Sequence, residues 1–191
     1  MTTDAAIAPL VSPPHLLAAG AVAATGSALL LARPVLIEHF PAVPTLVFLF
    51  AAMLLIAVAW PTGARRSPAA MNPLIVLLVG ILAFGLGRIL GGGHPPIPFA
   101  GRLIALNSFA AIAEEAFFRR FVYELLLLSG TTFAIVGSAV LFAVVHVTVY
   151  GAWVLPVDIA AGLVLGWQRA ATGSWTVPAL THIVANVLVV L

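Results

Sequence analysis

Long apolar runs alternate with short clusters of proline, glycine and polar residues along the whole chain. Each run is close to the ~20 residues that a helix needs to cross the hydrocarbon core of a bilayer. Since proline and glycine end helices, the clusters give the helix boundaries. The pattern predicts about seven transmembrane helices, or eight if one further crossing is hidden, at residues 16–32, 41–60, 74–90, 102–128, 131–147, 156–170 and 178–191.

The composition favours an all-α fold, a polytopic bundle of membrane helices. Of the 191 residues, 63% are hydrophobic and only 7% are charged, which excludes an ordinary soluble domain. We expect one integral, multi-pass membrane domain in contact with lipids, in which residues 1–100 supply three helices and residues 101–191 carry the polar groups. The absence of cysteine excludes disulfides and thiolate chemistry. The cations are scattered arginines, as at the flanks of membrane helices, and we expect no nucleic-acid partner.

Two adjacent glutamates, Glu114 and Glu115, stand in an apolar part of the predicted helix 102–128. A charge in the middle of a membrane costs from ~3 to over ~10 kcal/mol, so such residues pair with one another or line a functional cavity. Glu115 and Arg119 are four residues apart on one helical face, which predicts an ion pair. Glu114 is turned by ~100° from Glu115 and remains available as a base. Glu114 is therefore the catalytic candidate, with Glu115 and Arg119 in support.

His146 follows Phe142 by four residues, so the aromatic ring can wall the imidazole. Taken alone, this histidine is better explained by a hydrogen bond to a backbone carbonyl. However, Glu114 and His146 stand at nearly equal distances from the tight turn at Gly130, on two predicted antiparallel helices. We therefore expect the two side chains to meet.

His182 and Asn186 are also four residues apart, on the last predicted helix, and both can donate a hydrogen bond to one oxygen. The structural alternative is that they hold helices together by interhelical hydrogen bonds. The helix of Glu114 must project from the membrane for His182 to reach the height of Glu114. We expect Asp158 to lie in the first turn of a helix, where its charge interacts favourably with the helix dipole. Glu124 is expected to be solvated on the projecting end. The Gly162–Gly166 spacing is expected to mark a packing face.

Arginines near the helix ends give a first expectation of the membrane orientation. Arg65, Arg66 and Arg169 fall on one side if the helices alternate in direction. The positive-inside rule makes this side cytoplasmic and, with it, the amino terminus.

Three motifs in order on successive apolar helices, EExxxR from Glu114 to Arg119, FxxxH from Phe142 to His146 and HxxxN from His182 to Asn186, carry a family resemblance. The carboxyl-terminal half of the chain, from about residue 100, resembles the CAAX prenyl protease type II family. This family, also called CPBP or Abi, includes the Ras-converting endopeptidases. The resemblance implies an intramembrane endopeptidase in which Glu114, His146, His182 and Asn186 converge in a cavity. It also implies a location in a prokaryotic plasma membrane.

Two mechanisms are compatible with these residues. In the preferred one, Glu114 activates a water with help from His146, while His182 and Asn186 stabilise the oxyanion, and no cofactor is needed. In the alternative, implied by the family's older metalloprotease label, Glu114, His146 and His182 bind zinc. The expected substrate is a membrane-anchored protein or peptide, and a prenylated CAAX terminus is one such substrate. The competing function is a non-enzymatic immunity or scaffold protein with a buried polar network.

Overall fold

A computed structural model describes residues 13–61, 71–91 and 101–190, and all regular elements in these ranges are helical. The α-helices are α1 (Pro13–Leu31), α2 (Arg33–His39), α3 (Ala42–Ala59), α4 (Pro73–Leu90), α5 (Gly101–Glu115), α6 (Tyr123–Leu126), α7 (Thr131–Tyr150), α8 (Leu155–Thr172) and α9 (Thr176–Val190). A π-helical segment (Ala116–Val122) joins α5 to α6, and short 3-10 turns precede α7 and α8. The predicted all-α class is confirmed for the described residues.

The exterior of the bundle is apolar, as expected for helices in lipid. On α4, for example, Leu82 and Leu86 are 71% and 57% exposed, whereas a soluble protein rarely exposes a large continuous apolar patch. Among the described helices, α3, α4 and α7 are long and apolar enough to cross a membrane, and the bent pair of α1 and α2 makes a fourth if counted as one span. The predicted number of seven transmembrane helices is not confirmed, because α5, α8 and α9 are shorter or less apolar than full spans.

The first predicted helix, 16–32, ends at Leu31, and the chain then turns by 55° into α2, which the apolar pattern did not predict. Pro34 lies at the start of α2, where its missing N–H group costs no hydrogen bond. Inside one long helix the same proline would clash with the preceding turn. The bend turns Arg33, the first residue of α2, into the bundle, where it is buried.

The predicted helix 102–128 does not keep α-helical geometry throughout. After Glu115 the backbone widens into the π-helical segment, where Tyr123 N–H donates to the carbonyl of Phe118 five residues earlier. Such segments are rare and often lie at functional sites. Phe117, Phe118 and Phe121 of this segment lie in one hydrophobic core with residues of α1, α3 and α7.

The expectation for Glu124 was wrong, because this residue is not solvated. Its side chain is 16% exposed and forms an ion pair with Arg169 of α8, which offsets the cost of removing both charges from water. Arg169 is thus buried rather than a loop cation of the kind that the positive-inside rule counts. Arg65 and Arg66 lie outside the described residues.

Helices α7 and α8 pack closely through the small residues of α8. A Cβ atom on Gly162 would lie 2.8 Å from Cα of Ala139, and one on Gly166 would lie 3.2 Å from the side chain of Ile135. The predicted packing face is confirmed. Gly130, with φ of 108°, makes the tight turn before α7 in a conformation that suits glycine.

Candidate active site

Both glutamates are buried, and Glu115 is the one with no exposed surface. Its Oε2 atom lies 3.3 Å from Nε of Arg119, and both side chains are fully buried. Arg119 also donates from Nη2 to the carbonyl of Gly162 at 3.2 Å, and its guanidinium carbon lies 4.7 Å from the ring centre of Phe142. The contact predicted from the i,i+4 spacing is therefore present, and it ties the π-helical segment to α7 and α8.

Glu114 faces a different environment, as its helical position predicted. Its side chain lines a cavity of about 570 Å³, which Glu115 does not reach. Two basic groups approach its Oε1 atom, namely Nη1 of Arg33 at 3.6 Å and Nε2 of His146 at 3.8 Å. The structure thus brings Glu114 and His146 together across the α5–α7 hairpin. It also provides Glu114 with a cationic neighbour, Arg33, that the sequence analysis did not predict.

His146 makes three polar contacts, two through Nδ1 and one through Nε2. Nδ1 lies 2.7 Å from the carbonyl of Phe142, and since a carbonyl only accepts, Nδ1 carries the proton of this hydrogen bond. The same Nδ1 lies 3.5 Å from Oδ2 of Asp158. The backbone hydrogen bond of the structural alternative is therefore present, but it leaves Nε2 directed at Glu114. A neutral imidazole in this tautomer has its lone pair on the side of Glu114.

His182 contacts the other glutamate. Its Nδ1 atom donates to Oε1 of Glu115 at 3.0 Å, so Glu115 is bonded by α9 as well as by its own helix. The ring lines the cavity that holds Glu114. Proximity of His182 to the glutamate pair was expected, but its bond to Glu115 was not, because the sequence gives no signal for which carboxylate a distant helix contacts.

Asn186 stands one turn further along α9 and also lines the cavity. Its side-chain nitrogen donates to the carbonyl of Asn107 on α5 at 3.1 Å. This is the interhelical hydrogen bond of the structural alternative. The amide has a second N–H, so Asn186 retains a donor for a further acceptor.

Phe142 contacts both histidines, as the spacing predicted for His146. Its ring centre lies 4.6 Å from that of His146 and 5.6 Å from that of His182. A second cavity, of about 710 Å³ and mainly apolar, lies between α4, α8 and α9. Phe142, Asp158, His182 and Asn186 line both cavities.

Sequence reasoning missed Arg33 and Asp158 at this site. A signal for Arg33 existed, since a single cation next to Pro34 in a nearly uncharged region needs a partner if it enters the bundle. Asp158 does lie in the first turn of α8, as expected for a residue that suits the helix dipole, but its carboxylate also faces His146. Both contacts join elements far apart in sequence, which spacing within one helix does not reveal.

The residues named for the zinc alternative do not form a ligand set as they stand. In the part of the chain that the structure describes, no group of three or more His, Asp or Glu side chains is arranged to hold a metal ion. Glu114 and Nε2 of His146 are close, but Nδ1 of His182 is bonded to Glu115.

Comparison with known protein families matches part of the chain. Residues 96–188 match the family model described as "Type II CAAX prenyl endopeptidase Rce1-like". Neither the curated proteins nor the solved structures gave a match. The matched range contains all three motifs and every candidate residue of the site except Arg33. Residues 96–188, which contain the three motifs, are therefore similar to the type II CAAX prenyl endopeptidase family, also called CPBP or Abi, a family of membrane proteases.

Proposed function

We propose that this protein is an intramembrane endopeptidase that hydrolyses a peptide bond of a membrane-associated protein or peptide, with Glu114 as general base. The observation that carries the proposal is the position of Glu114, a carboxylate that lines a cavity and lies 3.8 Å from Nε2 of His146. A general base must have access to a water molecule and to the substrate. Glu115 has no such access, because its side chain is fully buried.

The reaction follows from this arrangement. Glu114 takes a proton from water as the water oxygen attacks the carbonyl carbon of the scissile bond, which gives a tetrahedral intermediate with a negative oxygen. His146 assists by holding the transferred proton on Nε2 and delivering it to the nitrogen of the leaving group. The C–N bond then breaks to give a carboxylic acid and an amine.

His182 and Asn186 are the proposed donors to the oxyanion. Asn186 donates through the N–H that is not bonded to Asn107. His182 donates to Glu115 through Nδ1, so its cavity-facing Nε2 donates only when both ring nitrogens carry protons. The proposal therefore requires the imidazolium form of His182, for which Glu115 is the adjacent counter-ion.

The membrane setting restricts the substrate. A site among apolar helices suits a peptide that is held at the membrane by its own anchor. We propose such membrane-anchored peptides as the substrate class, with prenylated CAAX termini as the first to test because the family's description names them. We further propose that the chain is a multi-pass protein of a prokaryotic plasma membrane.

The experiment that tests the proposal compares purified wild-type protein with Glu114→Gln and His146→Ala on prenylated and unprenylated anchored peptides. We expect the wild-type protein to cleave one of these peptides, and both variants to lose activity by about 10²- to 10⁴-fold, the usual contribution of acid–base catalysis. Glu38→Gln is the matched control, since Glu38 is exposed on α2. Cleavage by Glu114→Gln at the wild-type rate would overturn the assignment of the base.

A chelator in the same assay separates the glutamate mechanism from the zinc alternative. A zinc enzyme loses its activity and regains it with added metal. The glutamate mechanism predicts the same rate with and without the chelator. If the wild-type protein cleaves no peptide but binds a protein partner through this cavity, the immunity or scaffold function replaces the proposed one.

A further inference from the structure

Asp158 carries a buried carboxylate oxygen that the proposed reaction does not use. Its Oδ2 atom is inaccessible to solvent and makes no hydrogen bond to any described residue. An unsatisfied buried oxygen of this kind is costly and calls for an explanation. A residue that served only the helix dipole would instead direct its carboxylate to the free N–H groups of its own first turn.

The unsatisfied oxygen faces His146. Asp158 Oδ2 lies 3.5 Å from Nδ1 of His146, and Glu114 Oε1 lies 3.8 Å from Nε2 on the opposite side of the same ring. The imidazole is thus placed between two carboxylates, one on α5 and one on α8. The carbonyl of Phe142 and the ring of Tyr150, which is stacked on the imidazole at 5.9 Å, further restrict the orientation of His146.

We propose that Asp158 is a positioning residue for peptide hydrolysis that acts through His146, an inference that rests on the proposed function. Asp158 and the Phe142 carbonyl together hold the proton of His146 on Nδ1, which directs the Nε2 lone pair at Glu114. When Nε2 receives the proton that Glu114 has taken from water, the ring becomes a cation, and Asp158 is its counter-ion on the far side. The proton then leaves from Nε2, and Asp158 itself gains and loses none.

Asp158→Asn tests this role because the side-chain shape is kept and the charge is removed. We expect kcat for peptide cleavage to fall by about 10- to 100-fold, as when a residue that orients a functional histidine is removed, with KM unchanged. Asp158→Glu restores a carboxylate and should recover most of kcat. The control is again Glu38→Gln, which removes an exposed carboxylate outside the cavity. Wild-type kcat in Asp158→Asn, or a change in KM alone, would overturn the inference.

A second measurement does not depend on turnover. The unfolding temperatures of the wild-type protein, Asp158→Asn, His146→Gln and the double variant in detergent form a cycle that isolates the interaction between the two side chains. We expect Asp158→Asn to change the unfolding temperature less in the His146→Gln background than in the wild-type background. Additive shifts would overturn the inference. Absence of cleavage by the wild-type protein would instead overturn the proposed function, and the cycle then decides whether the Asp158–His146 interaction exists.

Discussion

The two adjacent glutamates differ in almost everything except their sequence position. Glu115 is fully buried and contacts Arg119 and His182, so its surroundings consist of protein groups. Glu114 lines a cavity and contacts Arg33 and His146 at the longer distances of 3.6 and 3.8 Å. One carboxylate has the surroundings of a structural ion pair, and the other borders a cavity, as the proposed reaction requires.

Under the proposed function, this difference gives two adjacent charges at the end of α5 two separate roles. The Glu115 side joins α5, the π-helical segment, α8 and α9, because Arg119 bonds to Gly162 and His182 to Glu115. The Glu114 side is formed by side chains that line the cavity of about 570 Å³. Changes on the Glu115 side should therefore affect stability first, and changes on the Glu114 side should affect activity first.

The largest effect on stability is expected for Glu115→Gln. It leaves the guanidinium of Arg119 buried without its counter-ion, and breaking a buried ion pair in this way costs about 3–5 kcal/mol. We expect a large drop in the unfolding temperature in detergent, with activity lost as the folded fraction falls. Glu38→Gln should leave the unfolding temperature unchanged, because its carboxylate is exposed. Wild-type stability in Glu115→Gln would contradict the structural role of Glu115.

Asn186→Ala should show the opposite pattern. Loss of an oxyanion donor costs about 10²- to 10³-fold in kcat, and we expect this loss in the peptide assay with most of the stability retained. Asn72→Ala is the matched control, since Asn72 caps α4 by accepting from the N–H of Leu74 and lies outside both cavities. It should cost about 1 kcal/mol of stability and no activity. Full kcat in Asn186→Ala would contradict the oxyanion role and leave Asn186 with only a structural role, its hydrogen bond to Asn107.

The smallest effect is expected for Gly162→Ala, which tests the contact between α8 and α7 at the glycine whose carbonyl accepts from Arg119. The added Cβ meets Cα of Ala139 at 2.8 Å, and overpacking of this kind costs about 1–3 kcal/mol. Gly20→Ala is the control, because a Cβ at Gly20 meets nothing within 4 Å, and alanine favours a helix by about 1 kcal/mol over glycine. The two substitutions should shift the unfolding temperature in opposite directions, and equal shifts would contradict the close contact of α7 and α8.

Local spacing explains what could be predicted from the sequence. The Glu115–Arg119 contact, the wall that Phe142 makes for His146 and the packing face of Gly162 all arise within one or two turns of a helix. The meeting of Glu114 and His146 was also predictable, because a tight turn at Gly130 fixes the relative heights of the two antiparallel helices. These features depend on the spacing of residues within one helix or across one tight turn.

Contacts between helices that are distant in sequence could not be predicted in this way. Arg33 reaches Glu114 only because the chain bends between α1 and α2, and Asp158 reaches His146 only because α8 packs on α7. The bond of His182 to Glu115 depends on the placement of α9. Helical periodicity states which residues share a face, but it does not state which other helix covers that face.

The most direct test of the account measures both stability and cleavage for Glu114→Gln. The account predicts the loss of peptide cleavage in a protein that remains folded. The unfolding temperature should fall less than in Glu115→Gln, because Arg33, which loses its counter-ion, lines the cavity. Glu115→Gln, measured beside it, should be the less stable of the two variants. Retained cleavage in a folded Glu114→Gln protein would contradict the central claim that the reactive carboxylate is Glu114.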